Sequence, residues 1–251
     1  VLRHAHTTDR TLLNLVVSRD VSDQLQRVVE ELVEAFPSIL GVFMSVNTSK
    51  GDHTYFETSQ ALFGEGVLEE KVGDLTFKIP YDAFFQTNTR QMVHLYHYVK
   101  QAAQFSASDR VLDLYCGIGT IGLFCADQVA SVVGIEENTS AVRYAKENQM
   151  LNGIENATFF DGRVKNILKF NDFDPTVIIL DPPRAGIVPK ALRRIIALNA
   201  PKIVYVSCNP STCWRDLTEL EANGYVVDSI QPVDMFPHTF HVETVTVLTK
   251  G

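Results

Sequence analysis

Apolar positions recur along this chain in two rhythms, and the change from one to the other divides it. In the first third, residues 12–19, "LLNLVVSR", are mostly apolar and β-branched and predict a strand. Residues 21–36, "VSDQLQRVVEELVEAF", predict an amphipathic helix. Its apolar face is Leu25, Val28, Val29, Leu32, Val33 and Phe36, with Ser22 as N-cap and Pro37 as the stop. "GVFMSVN" (41–47) predicts a second strand, "GDHT" (51–54) a turn, and further short strands run to about Ile79. Residues 1–74 are expected to form a small α+β domain, and no chemical signature stands in them.

After "FKIPYDAFFQTN" and a helix expected over 88–104, strands and helices alternate strictly. Apolar strands are predicted at 111–115, 131–136, 157–161, 176–181 and 202–208. Helical patterns lie between them near 120–127, 140–152, 163–169, 189–199 and 211–223. Continuous apolar strands alternating with helices imply a parallel sheet covered on both faces. The tail differs: "YVVDSIQPVDMF" and "VETVTVLTK" are two strands whose connection is too short for a helical crossover, so an antiparallel hairpin is expected at one edge. Five parallel strands and an edge hairpin over 75–251 follow the plan of a class I methyltransferase, an α/β Rossmann-like fold with a mostly parallel seven-stranded sheet.

Composition adds limits. The 251 residues are 45% hydrophobic and 21% charged, which fits a globular protein with a real core. No apolar run is long enough to span a bilayer, and no signal peptide opens the chain, so no membrane partner is expected. Cysteines at 116, 125, 208 and 213 lack the paired spacing of a zinc site. Reduced thiols, a cytoplasmic location and no metal in this chain are the expectation. A net charge of −8 argues against phosphate binding on average, though a local basic patch can coexist with it. The opening "VLRHAHTTDRT" has no Met and points to a piece of a longer chain.

Chemistry-bearing residues collect at the carboxyl ends of the predicted strands, where such sheets bind ligands. "VLDLYCGIGTIGL" carries Gly117 and Gly119 in a loop that opens a helix at Thr120, and Gly122 completes a G-x-G-x-x-G. Alone this is a weak dinucleotide signal. Asp113, four residues before the first glycine, and Glu136, placed to accept from two ribose hydroxyls, fit a loop for S-adenosylmethionine (SAM) better. Asp161 ends the third strand, where it can meet an adenine amino group. Asp181 precedes two prolines in "LDPPRAG" and is held extended. Read blandly, Asp113, Glu136 and Asp161 are turn caps or solvated strand ends, and Asp181 is a rigid strand exit.

Cys208 ends the fifth strand in "YVSCNPST". A lone cysteine is more often packing than catalyst. This one exits on the cofactor edge, just before a helix expected from Ser211, whose N-terminus favours a thiolate. Glu243 interrupts the apolar last strand, and an unpartnered carboxylate there costs desolvation. An edge-strand surface charge is the alternative. Gln86 and Asn88 follow two aromatics in "FFQTN", and Asn88 also reads as a helix N-cap. A thiol, a carboxylate and a methyl donor suit one reaction: thiolate addition to carbon 6 of uracil, attack of carbon 5 on the methyl, and removal of the carbon 5 proton by a base.

With these pieces in place, the chain resembles the RNA uracil-5-methyltransferases through "FFQTN", "DLYCGIGTIGL", "GIE", "LDPPRAG", "YVSCNPST" and "DMFPHTFHVETV". The resemblance runs from about residue 75 to the end, and residues 1–74 look like the family's central domain. It implies Cys208 as nucleophile and Glu243 as general base. SAM contacts are implied at Gln86, Tyr115, Glu136, Asp161 and Asp181, together with the loop residues Gly117, Gly119 and Thr120. The implied partner is an RNA whose target uridine is flipped out, in 23S rRNA ahead of tRNA uridine 54, bound by a monomer. The family's N-terminal RNA-binding β-barrel (the TRAM domain) and the iron–sulfur cluster of some members would belong upstream, in a longer parent.

Two rivals from other classes stand beside this reading. An aminomethyltransferase acting on a nucleobase uses a related Asp-Pro-Pro-aromatic signature, but Arg184 stands here where its aromatic would stack. A non-catalytic Rossmann module that binds nucleotide or RNA would need neither Cys208 nor Glu243.

Overall fold

The structure is a computed structural model that describes residues 1–49 and 56–251; the turn expected at 51–54 lies outside the described residues. The chain divides into two units, Val1–Thr87 and Asn88–Gly251.

In the first unit, strands β1 (Leu2–Ala5), β2 (Arg10–Val17), β3 (Ile39–Val46) and β4 (Thr58–Gly64) form one sheet in that order. Helix α1 (Ser22–Ala35) makes the crossover between the parallel strands β2 and β3. Val29 packs on Ile39 and Val42, and Leu25, Leu32 and Val33 flank it. The helix cap differs from expectation. Val21 is the N-cap residue, and Ser22 is already helical, its N–H donating to Asp20. The apolar face is also narrower, because Val28 and Phe36 remain exposed. Strands β5 (Val67–Val72) and β6 (Leu75–Pro80) form a separate antiparallel pair. The second strand of that pair, on the far side of the 74/75 division read from sequence, stays within the first unit.

The second unit begins with α2 (Thr89–Ala103), capped by Asn88, whose side chain accepts from the N–H of Gln91. Five strands are parallel: β7 (Arg110–Leu114), β8 (Ser131–Glu136), β9 (Ala157–Asp161), β10 (Val177–Leu180) and β11 (Lys202–Ser207). The last two, β12 (Tyr225–Val233) and β13 (Glu243–Lys250), pair antiparallel. The order is β12-β13-β11-β10-β7-β8-β9. The final strand therefore slots between β11 and β12, antiparallel to both, and β12 forms the edge.

Helices cover both faces. Leu112 and Leu114 of β7 point to the side where α5 (Val164–Phe170), α6 (Pro189–Ala197) and α7 (Pro210–Ala222) bury Leu168, Leu192, Ile195, Leu217 and Leu220. Asp113, between those leucines, points to the opposite side, where α3 (Thr120–Cys125) begins, and α4 (Thr139–Leu151) packs there on β8 and β9. The sheet reverses its winding between β7 and β10, and a crevice opens at the carboxyl ends of the strands on either side.

Candidate active site at the carboxyl edge of the sheet

The loop after β7 is held in an uncommon conformation. Tyr115 has φ 66°, in the left-handed region, and its N–H and that of Cys116 both donate to the carbonyl of Ile135. Such strain costs about 1–3 kcal/mol and persists only where the surroundings impose it. Gly119, the N-cap residue of α3, has φ 82°, and a Cβ there would lie 2.9 Å from the Phe159 ring. Gly122 lets α3 approach β7 closely: its N–H donates to Asp113 Oδ2 at 2.9 Å, and a Cβ would lie 2.8 Å from that oxygen. Thr120 is tied to the helix in front of it, its hydroxyl accepting from Tyr96 at 2.9 Å.

Glu136 at the end of β8 faces this loop. One carboxylate oxygen accepts from Gly117 N at 3.1 Å and the other from Asn138 N at 2.8 Å. The carboxylate keeps acceptor capacity for a further donor. Asp161 ends β9 in register with Glu136 and is exposed. Asp181 follows β10, and its N–H donates to Leu114 O at 3.3 Å. Gln86 falls in the first unit, where it is buried with an unpartnered Oε1.

Four carboxylates crowd the edge of the second unit. Burial lifts the Asp113 carboxyl to about 7, against the hydrogen bond from Gly122 and with help from Glu136. Its Oδ1 is buried without a partner. Burial raises Glu136 despite three backbone N–H donors. Burial, then Glu243, Asp113 and Glu136, push Asp181 well above the carboxylate range. Glu243 is raised to about 7 by burial, opposed by Arg184. It is buried with Oε2 unpartnered, because β13 lies inside the sheet; the edge-strand surface charge is not what the fold makes of it.

Cys208 sits between β11 and α7, half-buried, beyond the strand end at Ser207. The helix after it starts at Pro210, one residue earlier than expected, with Asn209 as the N-cap. A thiolate favoured by that helix was the expectation, but the thiol is shifted up. Burial is the largest cause, followed by Glu243 and Asp181; the positive charge of Arg184 opposes them. The other three cysteines are buried.

Sequence reasoning undervalued what holds Arg184. Its carbonyl accepts from Asn209 Nδ2 at 3.0 Å and Thr212 Oγ1 at 3.1 Å. Asp216, buried on α7, accepts from Ile187 N and from the Tyr205 hydroxyl, both at 2.8 Å, and from Arg215. The Asp-Pro-Pro-Arg loop is thus clamped onto α7. An acid on the buried face of an amphipathic helix was the available signal. Nη2 of Arg184 also lies 3.3 and 3.4 Å from the two ring nitrogens of His241. A groove of about 220 Å³ is lined by Tyr115 and Pro183 and by Glu137, Arg163 and Lys165, the last three of which the sequence did not single out. Among the described residues no group of three or more His, Cys, Asp or Glu is placed to hold a metal. No helix there is long and apolar enough to cross a membrane.

This strand order and loop define a class I SAM methyltransferase fold, and comparison with known proteins agrees. Residues 95–201 match the methyltransferase small domain. A crystal structure of Methanocaldococcus jannaschii tRNA m1G37 methyltransferase shares the fold alone, at TM-score 0.65 and 14% identity, covering 100% of this chain and 74% of that one. The Pyrococcus abyssi tRNA (uracil-54, C5)-methyltransferase, solved with S-adenosyl-L-homocysteine, superposes at TM-score 0.75 with 32% identity, over 99% of this chain and 58% of that one.

Residues 159–251 match the model of the tRNA (Uracil-5-)-methyltransferase family. An RNA methyltransferase of Oceanobacillus iheyensis is 39% identical, over 99% of this chain and 55% of its own length. One of Clostridium tetani is 40% identical, over 100% and 55%. The chain spans about half the length of the curated relatives it matches.

Proposed function

We propose that this chain is the catalytic region of an RNA uracil-5-methyltransferase, with Cys208 as nucleophile and Glu243 as base. The observation that carries the reading is the grouping of Cys208 with Glu243, Asp181 and Arg184, whose charges all act on the thiol. Glu136, with acceptor capacity to spare, Asp161, Tyr115 and the Gly117–Thr120 loop would hold SAM, and Asp181 would face its cationic end. Gln86 is assigned to the same cofactor on the family resemblance. The fit rests on charge: Glu243, Asp113 and Glu136 all raise Asp181, and such a crowding of acids suits a cation. The bound cofactor supplies an electrophilic methyl group and a positive charge that offsets those carboxylates.

The chain's own residues do the rest. Arg184 favours the Cys208 thiolate, which adds to carbon 6 of a flipped uracil and turns the ring into an enolate. Carbon 5 takes the methyl. Glu243 then removes the carbon 5 proton, carbon 6 expels the sulfur, and the double bond returns. Glu243 must be ionised for that step, and its value near 7 matches the task.

The substrate proposed is a uridine in an rRNA loop. The Pyrococcus abyssi likeness favours a second reading, uridine 54 of tRNA. Unmodified rRNA and tRNA transcripts with radiolabelled SAM separate the two. The same assay on Cys208→Ala tests the mechanism. Loss of methylation with SAM affinity retained supports it; full activity would favour an aminomethyltransferase. No SAM binding by the wild-type chain would point to a non-catalytic nucleotide- or RNA-binding module.

A further inference from the structure

The segment 234–242 joins β12 to β13, and its base is the Val233–Glu243 pair, so it springs directly from the proposed base. His238 within it has φ 66°. Phe240 is 90% exposed, more than any other large apolar side chain among the described residues. Single exposed apolar residues are common and need no explanation. The position of this one sets it apart. Its ring lies 4.2 Å from that of His241, tilted by 41°. His241 in turn contacts Arg184, whose positive charge acts on the Cys208 thiol. Two contacts therefore lead from the exposed ring to the guanidinium that acts on the thiol. One face of Phe240 leans on the imidazole, and the ring is otherwise open to solvent.

A nucleotide flipped into a pocket leaves its neighbours unstacked, and proteins hold such bases on aromatic rings. Arg184 and His241 beside the ring suit the polyanionic backbone that comes with a base. An apolar protein partner would instead have to cover the guanidinium.

We infer that Phe240 is a stacking platform for a nucleobase adjacent to the target uridine, steadied from below by His241. The inference rests on the RNA methyltransferase reading, and its test keeps the two apart. The probe is whichever rRNA or tRNA transcript the wild-type chain methylates, with 2-aminopurine placed on either side of the methylated uridine. Stacking predicts that its fluorescence is quenched on binding at one of the two positions. Phe240→Ala should lose the quenching and weaken RNA binding about 5- to 100-fold. Its KM for RNA should rise by more than kcat falls, with SAM affinity by calorimetry unchanged. Phe240→Trp should restore quenching and affinity. If the wild type methylates RNA but Phe240→Ala binds it within twofold of wild type, the platform is refuted and the enzyme reading stands. If the wild type methylates no transcript, both fall.

Discussion

Cys208 is a nucleophile candidate in an environment that opposes its ionisation. Burial, Glu243 and Asp181 raise the thiol, and Arg184 alone among the named groups lowers it. Without cofactor, alkylation of Cys208 by iodoacetamide should therefore show a pH midpoint above that of an ordinary thiol, near 9. Arg184→Gln should move it higher, and added S-adenosylmethionine should move it lower. Peptide mass spectrometry reads Cys208 apart from the buried Cys116, Cys125 and Cys213. A midpoint below 8 in the free protein would contradict this balance of charges. Glu243 carries the complementary expectation. With a carboxyl near 7, the rate in saturating RNA should climb between about pH 6 and 8, and Glu243→Gln should abolish turnover at every pH.

Among the elements, the loop 181–188 matters most, because it carries Asp181 and Arg184. Its anchor is Asp216, which is 1% exposed and engaged by Tyr205, Ile187 and Arg215. Asp216→Ala leaves a buried hydroxyl and a buried N–H without an acceptor and should cost about 3–5 kcal/mol in urea unfolding. Asp216→Asn, which keeps an acceptor, should cost less. Equal costs would show that the clamp adds nothing. Gly119→Ala should abolish SAM binding in calorimetry, because φ 82° and the Phe159 ring both resist a Cβ.

At this scale the sequence was readable to within about a residue for the parallel strands, since β-branched runs between helical periods admit few assignments. The placement of β13 was not readable. Local pattern calls for an antiparallel hairpin, but only tertiary pairing decides whether its first or second strand meets β11. That choice turns Glu243 from an edge charge into a buried acid. The α1 face was overread for a similar reason: spacing marks which side chains align, and the sheet beneath covers only part of that stripe.

For the whole molecule, the acidic cluster ties stability to pH. Asp113 and Glu243 both sit near 7, and Glu136 and Asp181 are also raised. Between the ordinary carboxylate range near pH 4 and about pH 7, the folded protein holds more protons than the unfolded chain. Stability contributed by these groups is thus fully present below about pH 4 and lost as pH rises through 7. Asp109 and Asp20 are lowered and act in the opposite sense, but they are fewer and less buried. The melting temperature should fall from pH 5 to pH 8, and SAM should restore part of the loss at pH 8. A higher melting temperature at pH 8 in the free protein would overturn this account.

The resemblance to the uracil-5-methyltransferases was legible because "SCNP", "DPPR" and the acid of the last strand are local motifs. The clamp at Asp216 and the contacts of His241 were not, because they join residues far apart in the chain.

The central claim is covalent catalysis by Cys208 on uracil, and it has a direct measurement. The chain is incubated with SAM and an accepted RNA in which 5-fluorouridine replaces uridine, then run under denaturing conditions and digested for mass spectrometry. Glu243 cannot remove fluorine as a proton, so a methylated RNA adduct should remain on the peptide containing Cys208. Normal RNA methylated under the same conditions, with no adduct at Cys208 on the fluorinated RNA, would contradict the account.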